Sequence, residues 1–226
     1  MQHSKDDSMQ RQQKPKSLII LKSTLSRLPL YYCYIEEKKR IGQRYVSSSA
    51  IAEALDLNPV QVRKDLASVS SIPGRSKLGF DTGHLLADMK AYLGYDNLEE
   101  AVLVGVGGLG RTLMSYGGFS QYGLNIVAGF DVNPDLHGTI VASRPVFPIE
   151  RMPEMVRRLA IRIGIVTVPA PQAQGVVDMM VGAGIRAVWN FAPTLVNLPE
   201  GVLIKNENLA SSLAALANQL RSTMEV

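Results

Sequence analysis

A glycine-rich turn, "VGVGGLG", ends an apolar run that begins near residue 101 and limits the folds open to this chain. Gly105, Gly107 and Gly110 have the G-x-G-x-x-G spacing of a dinucleotide-binding turn between a strand and a helix. In such a turn the first glycine permits a tight bend, the second lets the backbone approach phosphate, and the third allows the helix to pack closely on the strand. The spacing therefore predicts a pyrophosphate at the N-terminus of the following helix.

A carboxylate in "GFDVNP" strengthens this interpretation. Asp131 ends the next apolar run, 21 residues after Gly110, which is the distance expected of an acid that binds the adenosine ribose hydroxyls. A carboxylate at this place would repel a 2′-phosphate, so NAD(H) is favoured over NADP(H). Considered alone, Asp131 would equally suit a helix cap or a turn.

Two later loops, "TVPAP" and "NFAP", follow predicted strands at 162–168 and 185–191. Ligands bind at the carboxyl ends of strands in open parallel sheets, although proline and asparagine are also ordinary loop residues. The predicted cofactor-binding residues are Gly105, Val106, Gly107, Gly108, Leu109, Gly110, Arg111, Asp131, Val132, Thr167, Val168, Pro169 and Asn190.

Apolar strands alternate with helical segments through the rest of the chain. The further predicted strands are 101–106, 124–131 and 202–206, and the predicted helices lie near 109–121, 152–160, 171–182 and 209–223. This alternation predicts an α/β fold with a Rossmann-like, doubly wound parallel sheet. An amphipathic helix at 84–94, with Leu85, Leu86, Met89 and Leu93 turned inward, is expected to join it to the preceding domain.

Before residue 83 the patterns predict a winged helix-turn-helix. A first helix near 18–39 has Leu21, Leu25, Leu28, Tyr31, Tyr32 and Ile35 at helical spacing. Pro29 either kinks this helix or marks its true start. Ser48 or Ser49 is expected to cap the second helix, and Asn58 with Pro59 to begin the third.

The third helix has one buried stripe, Val62, Leu66 and Val69, and several polar residues off that stripe. Asp65 would repel phosphate, so we expect it to make a contact within the protein. A wing is predicted after the helix, with a turn at Pro73–Gly74 and two cations at its tip. The predicted DNA-binding residues are Ser48, Gln61, Arg63, Lys64, Ser68, Arg75 and Lys77. The alternative is a three-helix interaction module with a solvated basic face.

Charge is distributed unevenly along the chain. Residues 1–80 contain 14 Lys and Arg against 7 Asp and Glu, whereas residues 81–226 contain 10 against 13. This asymmetry indicates different partners for the two parts. The single cysteine, Cys33, excludes an intramolecular disulfide and fits a reducing cytoplasm, and the three histidines are too scattered for a metal site. No apolar run reaches the roughly 18 residues of a membrane span.

The expected domains are a disordered tail without the apolar stretch of a secretory signal (1–17), a winged-helix DNA-binding domain (18–82), a Rossmann-like NAD(H)-binding domain (83–208) and a C-terminal helix (209–226). Little chain remains for a substrate domain, and no histidine follows the later strands, so we expect ligand binding rather than catalysis. The alternatives are an NAD-dependent oxidoreductase and a sensor of coenzyme A or another adenine nucleotide on the same fold.

Five motifs occur in a characteristic order: "NPVQVRKDL" (58–66), "VGVGGLGRTL" (104–113), "GFDVNP" (129–134), "VPAPQAQ" (168–174) and "NFAP" (190–193). Together they resemble the Rex family of redox-sensing transcriptional repressors, over about residues 17–222. The resemblance implies a homodimer that binds pseudo-palindromic, double-stranded operator DNA. NADH would release it, and NAD+ would compete without forcing release.

The resemblance also implies that the C-terminal helices, here "NLASSLAALANQLR" (208–221), exchange between protomers, although their leucines equally suit an unswapped helix. Rex-like sequences often join a tyrosine, Tyr116 by this resemblance, to an arginine on the first helix and an aspartate opening the last helix. The corresponding switch positions in this chain are Cys33 and Asn208, so that ion pair cannot form. The wing differs too, since "GRSKLGF" stands where an arginine-glycine pair before a tyrosine is expected. These departures predict an altered redox response on an unchanged fold.

Overall fold

The computed structural model describes residues 22–224, so the predicted tail (1–17) and the start of the first helix, Leu21 included, lie outside the described residues. The chain divides into two compact units between Leu93 and Gly94.

The first unit consists of four helices and a small two-stranded sheet. The helices are α1 (Lys22–Arg40), α2 (Ser48–Ala54), α3 (Pro59–Val69) and α4 (Thr82–Leu93), and the antiparallel strands are β1 (Tyr45–Val46) and β2 (Phe80–Asp81). Its core contains Leu28, Tyr31, Ile35, Ile51, Val62, Leu66, Leu85 and Met89, all at most 1% exposed. Pro29 lies inside α1 and does not mark its start. Val69 is only half-buried, unlike Val62 and Leu66.

The position of α4 corrects the expected domain boundary at residue 82. Leu85, Leu86 and Met89 are buried as predicted, and α4 packs against α1 within the first unit. Residues 83–93 therefore belong to the helical unit, because their apolar face completes its core.

The cap of α2 is also different from the expected one. Ser47, with extended backbone angles, accepts a hydrogen bond from the backbone N–H of Ala50 at 3.1 Å. Ser48 and Ser49 already lie within the helix. Asn58 caps α3 as predicted, since its side-chain oxygen accepts from the N–H groups of Val60 and Gln61.

Asp65 makes the internal contact that its place in α3 predicted. The residue is 2% exposed, and its carboxylate accepts hydrogen bonds from Arg27 Nε at 2.8 Å and from the Tyr31 hydroxyl at 2.9 Å. Thr24 Oγ1 and Gln61 Nε2 donate to the other oxygen at 3.0 and 2.8 Å. Burial by itself would raise the pKa of Asp65, but the hydrogen bonds from Arg27 and the other donors hold that pKa below its usual value. The network ties α3 to α1.

The same network predicts a loss of stability at high pH. Burial, together with the hydrogen bond to Asp65, raises the pKa of Tyr31 to about 12. In the unfolded state the Tyr31 hydroxyl loses its proton above about pH 10, whereas the folded state keeps that proton until about pH 12. The stability contributed by the Tyr31 hydrogen bond is therefore complete below about pH 10 and is lost as the pH rises through 12. We expect the unfolding free energy of wild type relative to Tyr31→Phe to fall over this interval in denaturant titrations followed by circular dichroism. Tyr34→Phe, on the same helix, is the control, and a difference independent of pH would contradict the prediction.

The second unit is built on a seven-stranded sheet. Its strands are β3 (Glu99–Val104), β4 (Leu124–Asp131), β5 (Ile140–Val141), β6 (Arg144–Pro148), β7 (Ile163–Val166), β8 (Ala187–Asn190) and β9 (Leu203–Asn206), in the order β5-β6-β4-β3-β7-β8-β9. All neighbouring pairs are parallel except β5 with β6. Its helices are α5 (Gly108–Ser115), α6 (Met152–Arg158), α7 (Ala170–Ala183) and α8 (Leu209–Met224). Two buried apolar clusters pack against this sheet.

The predicted α/β fold with a parallel sheet is confirmed, but two strands were missed. Strand β6 contains Pro145 and Pro148, and prolines argue against a strand in a sequence pattern. It nevertheless pairs with β4 in parallel, with Pro148 opposite Asp131. The helix predicted at 109–121 is longer than the one observed. In the structure α5 ends at Ser115, and a separate 3-10 helix follows at Gly117–Tyr122.

Candidate functional site

A cavity of about 560 Å³ opens at the carboxyl ends of β3, β4 and β7. Seven of the predicted cofactor-binding residues line it: Gly105, Gly107, Asp131, Val132, Thr167, Val168 and Pro169. Its other lining residues are Val104, Ile149, Gln172, Val176, Phe191 and Pro193. The wall is therefore mostly apolar, with polar groups concentrated around the glycine turn and Asp131.

The glycine turn has the geometry that its spacing predicts. Gly105 has φ +99°, and a Cβ atom there would lie 2.8 Å from the Thr167 backbone. A Cβ atom on Gly110 would lie 2.0 Å from the Gly105 carbonyl oxygen, so only glycine lets α5 start this close to β3. A Cβ on Gly107 would meet nothing within 4 Å. The turn thus leaves open space in front of the N-terminus of α5, where a phosphate is stabilised by backbone N–H groups.

Asp131 lies at the end of β4 and faces this turn. Its Oδ2 accepts a hydrogen bond from the Val106 N–H at 2.6 Å, and its Oδ1 accepts from the Asn133 N–H at 2.9 Å. The ring of His137 contacts the Asp131 carbonyl oxygen at 2.9 Å, which anchors the loop that follows. The carboxylate is half-buried, so it reaches both the turn and the cavity.

Thr167 joins the ends of two neighbouring strands beneath the cavity. Its hydroxyl donates to the carbonyl oxygens of Val104, at 3.1 Å, and Gly105, at 2.7 Å. Its backbone N–H also donates to Val104 O at 2.9 Å. Thr167 therefore holds the turn against the "TVPAP" loop.

Asn190 requires a correction, because its side chain does not line the cavity. The residue is fully buried, and its Nδ2 donates to Thr194 O at 2.9 Å and to Asn206 Oδ1 at 2.8 Å. Its Oδ1 accepts from the Ala192 N–H at 3.0 Å. Asn190 thus shapes the loop that brings Phe191 and Pro193 to the cavity.

The remaining predicted residues surround the turn without lining the cavity. Val106 and Gly110 are buried, whereas Gly108, Leu109 and Arg111 are exposed on α5. Arg111 Nε donates to the Val106 carbonyl oxygen at 3.2 Å.

Sequence reasoning did not assign six of the cavity residues to the ligand: Val104, Ile149, Gln172, Val176, Phe191 and Pro193. Phe191 and Pro193 belong to the "NFAP" motif already singled out, so the motif marked their loop but not their side chains. Ile149 follows β6, a strand that was not predicted.

The predicted DNA-binding residues lie on α3 and in the segment after it, except for Ser48, which begins α2. Arg63 and Lys64 are exposed on α3. Gln61 is exposed too, but its amide nitrogen donates to Asp65, which leaves its oxygen available. Ser68 donates to the Asp65 carbonyl oxygen at 2.6 Å. A cleft of about 740 Å³ beside α3 is lined by Ser48, Arg63, Arg75 and Lys77 among others.

The wing is present, although its turn differs from the expected one. Arg75 and Gly79 form a bridge with two backbone hydrogen bonds, and the turn between them is formed by residues 76–78. Pro73 and Gly74 precede it, and Lys77 occupies the left-handed region at φ +66°. The guanidinium groups of Arg75 and Arg44 both lie 5.4 Å from the Tyr45 ring centroid. Cation–π packing therefore holds two cations beside the wing.

The three predicted switch residues are at least partly accessible. Cys33 is exposed on α1. Tyr116, 55% exposed, ends α5, and its ring lies over Gly118, where a Cβ atom would approach it to 2.5 Å. Asn208 caps α8, since its Oδ1 accepts from the Ser211 N–H at 2.8 Å.

Within residues 22–224, no helix is long and apolar enough to cross a membrane. The same residues contain no group of three or more His, Cys, Asp or Glu side chains placed to hold a metal ion.

Two family models match the chain, one in each unit. A model described as a putative DNA-binding protein N-terminus matches residues 20–67, and a CoA binding domain matches residues 96–194.

Curated relatives and solved structures cover nearly the whole chain. A redox-sensing transcriptional repressor Rex from Bacteroides fragilis is 40% identical, over 87% of this chain and 89% of its own length. One from Pelotomaculum thermopropionicum is 38% identical, over 91% and 96%. The Rex-family repressor RSP in complex with β-NAD+ and operator DNA has a TM-score of 0.83 and 30% identity, over 92% of this chain and 95% of its own. RSP in complex with β-NADH has a TM-score of 0.82 and 29% identity, over 92% and 97%.

Proposed function

Because the chain belongs to the Rex family of redox-sensing transcriptional repressors, we propose that it binds operator DNA as a homodimer and is released when NADH occupies the cavity. NADH and NAD+ are its regulatory ligands, and the NADH/NAD+ ratio is its signal. The observation that carries the proposal is the cavity beside the Gly105 turn and Asp131, in a chain that aligns over 92% of its length with a repressor solved with NAD+ and operator DNA. We place this activity in the cytoplasm.

Each part of the site has a proposed role. The N–H groups at the start of α5 hold the pyrophosphate, and Asp131 accepts hydrogen bonds from the ribose hydroxyls. Arg63 and Lys64 on α3 read the major groove, while Arg75 and Lys77 in the wing contact phosphates. Gln61 donates one amide N–H to Asp65, and its other amide N–H and its oxygen face a base edge in the proposed complex.

The proposed homodimer uses α8. Leu213, Leu216 and Leu220 are 67%, 62% and 60% exposed, and they follow helical spacing on one face. An apolar stripe of this kind marks a protein–protein contact surface. A two-fold dimer also presents two α3 helices to a pseudo-palindromic operator.

Release follows from a population shift between two arrangements of the dimer. Only one arrangement spaces the two α3 helices to match half-sites one helical turn apart. NADH drives release to the extent that it binds the other arrangement more tightly. The coupling is reciprocal, so operator DNA weakens NADH binding by the same factor.

The composition of the cavity supports ligand sensing over hydride transfer. Among its lining residues, Asp131 has the single titratable side chain, and both of its oxygens accept backbone N–H groups. An oxidoreductase requires a general acid or base beside the nicotinamide. We therefore propose that the protein is not an enzyme.

Fluorescence anisotropy on an operator duplex selected from a random pool tests the function. We expect NADH to release the protein at much lower concentration than NAD+. Coenzyme A is included because a CoA binding domain model matches residues 96–194. If coenzyme A releases the protein and NADH does not, the signal is coenzyme A and not the NADH/NAD+ ratio. Turnover of a 2-hydroxy acid or alcohol with NAD+ would indicate an oxidoreductase.

The switch residues give a further prediction. The double variant Cys33→Arg with Asn208→Asp restores the arginine and aspartate that Rex-like sequences carry. Asn208 caps α8 through an oxygen that aspartate also has, so the cap is retained. We expect NADH to weaken operator binding about fivefold more in this variant than in wild type, which is the lower end of the fold-changes that common coupling energies produce. Each single variant is the control, and an unchanged double variant would reject the hypothesis.

A further inference from the structure

A row of aromatic side chains leads away from the wall of the cavity. Phe191, which lines the cavity, packs against Trp189 with ring centroids 4.6 Å apart. Trp189 contacts Phe119 at 5.7 Å, and Phe119 contacts Tyr116 at 4.9 Å, both edge to face. These separations are those of packed aromatic pairs. Because close-packed rings cannot overlap, a ligand that displaces Phe191 also displaces Trp189.

The indole of Trp189 is tied to the segment that begins α8. Its Nε1–H donates to Glu207 Oε1 at 3.1 Å. The Glu207 backbone N–H donates to the Asn190 carbonyl oxygen at 2.8 Å, so Glu207 is bound to β8 twice. The next residue, Asn208, caps α8. One residue therefore separates the end of this chain of contacts from the first turn of the helix.

The contacts at Glu207 differ in strength. Trp189 is half-buried, and the Glu207 side chain is 30% exposed. Lys205 Nζ lies 3.8 Å from the same carboxylate oxygen, but its side chain is 73% exposed. An exposed ion pair of this length contributes little, whereas a partly buried hydrogen bond to a carboxylate contributes more. The indole is thus the main group that positions the Glu207 carboxylate, while the backbone N–H of Glu207 is held separately by Asn190.

We propose that Trp189 and Glu207 are positioning residues that couple occupancy of the cavity to the placement of α8. The inference rests on the proposed function, in which the exposed leucines of α8 join the two protomers. A ligand packing against Phe191 moves Trp189, the indole moves Glu207, and the first turn of α8 follows. The apolar face of α8 then changes its position relative to the sheet, which shifts the dimer between its two arrangements.

Four variants separate this role from ordinary packing. Trp189→Phe keeps an aromatic ring on β8 but removes the indole donor, and Glu207→Ala removes the acceptor. Glu207→Gln keeps an oxygen acceptor, so it is the conservative variant. Lys205→Ala is the matched control, because it removes only the exposed cation from the same carboxylate.

The first measurement is the operator Kd with and without saturating NADH, by fluorescence anisotropy. We expect the operator Kd with NADH, divided by the operator Kd without NADH, to fall about five- to tenfold in Trp189→Phe and in Glu207→Ala. Combining the two substitutions should cause no further loss. Glu207→Gln and Lys205→Ala should release like wild type. Affinity for NADH without DNA should stay within about twofold of wild type in all variants. Wild-type release by both Trp189→Phe and Glu207→Ala would overturn the inference.

The second measurement needs no DNA. Trp189 is the only tryptophan in the chain, so it gives one indole N–H resonance in a ¹H–¹⁵N spectrum. NADH should shift this resonance in wild type and in Lys205→Ala, and an unmoved resonance would overturn the inference. If NADH binds and moves the resonance but fails to release wild type from its operator, the proposed function is overturned and the link to operator release fails with it.

Discussion

Asp131→Ala is expected to weaken NADH binding by about 100-fold and to leave operator binding intact, so that the variant stays on DNA at NADH concentrations that release wild type. The carboxylate faces the glycine turn and accepts the Val106 N–H at 2.6 Å. In the proposed complex it also accepts hydrogen bonds from the ribose hydroxyls. Removing a charged acceptor costs about 1.5–3 kcal/mol per hydrogen bond.

Isothermal titration with NADH and NADPH measures this effect. Since a carboxylate repels a 2′-phosphate, the variant should discriminate less between the two nucleotides. Asp135→Ala is the matched control, because Asp135 is an exposed carboxylate four residues further along the chain. An Asp131→Ala variant that binds NADH as tightly as wild type would exclude a contact between Asp131 and the nucleotide.

Asp65→Ala is expected to destabilise the first unit by about 3–5 kcal/mol and thereby to abolish operator binding. The change leaves the Arg27 guanidinium and the buried Tyr31 hydroxyl without their acceptor. The buried Tyr31 hydroxyl left without an acceptor costs about 1–3 kcal/mol, and the lost hydrogen bonds to the charged carboxylate cost about 1.5–3 kcal/mol more. The Arg27 side chain is 22% exposed, so water hydrates part of its charge. The loss is a large fraction of the 5–15 kcal/mol that ordinarily stabilises a domain.

The two units should respond differently to this change. Circular dichroism melts should show early unfolding of the helical unit, while NADH binding by the second unit persists. Asp65→Asn, which keeps an acceptor oxygen, should lose less stability, and Glu53→Ala, which changes an exposed carboxylate on α2, should lose almost none. Operator binding by a fully folded Asp65→Ala variant would contradict the prediction.

Local patterns predicted the features that depend on a few adjacent residues. The helix cap at Asn58 and the positive φ angle of Gly105 follow from short-range hydrogen bonding and sterics, and both are present. The expected cap at Ser48 or Ser49 was wrong by a residue or two, because three consecutive serines suit the position equally and packing decides among them. The wing turn was placed at Pro73–Gly74, the usual turn signal, whereas pairing of Arg75 with Gly79 moves it along the chain.

Features that depend on distant residues were harder to predict. Strand β6 was missed because its prolines lower strand propensity, yet its pairing with β4 carries Ile149 to the cavity. Asn190 was assigned to the ligand because it ends a strand, but full burial directs its amide to Thr194 and Asn206.

Residue spacing alone is enough to specify the local chemistry of this protein: the glycine turn, the acid that follows the next strand, and a basic helix with a proline at its start. These features depend only on residue types at fixed spacings, so any sequence with the same spacing has them. Packing between distant segments determines which side chains face the cavity, which carboxylate holds α3 to α1, and how Phe191 is connected to Glu207 through Trp189. Parallel strands bring residues together that are far apart in the chain, and burial then selects their hydrogen-bond partners.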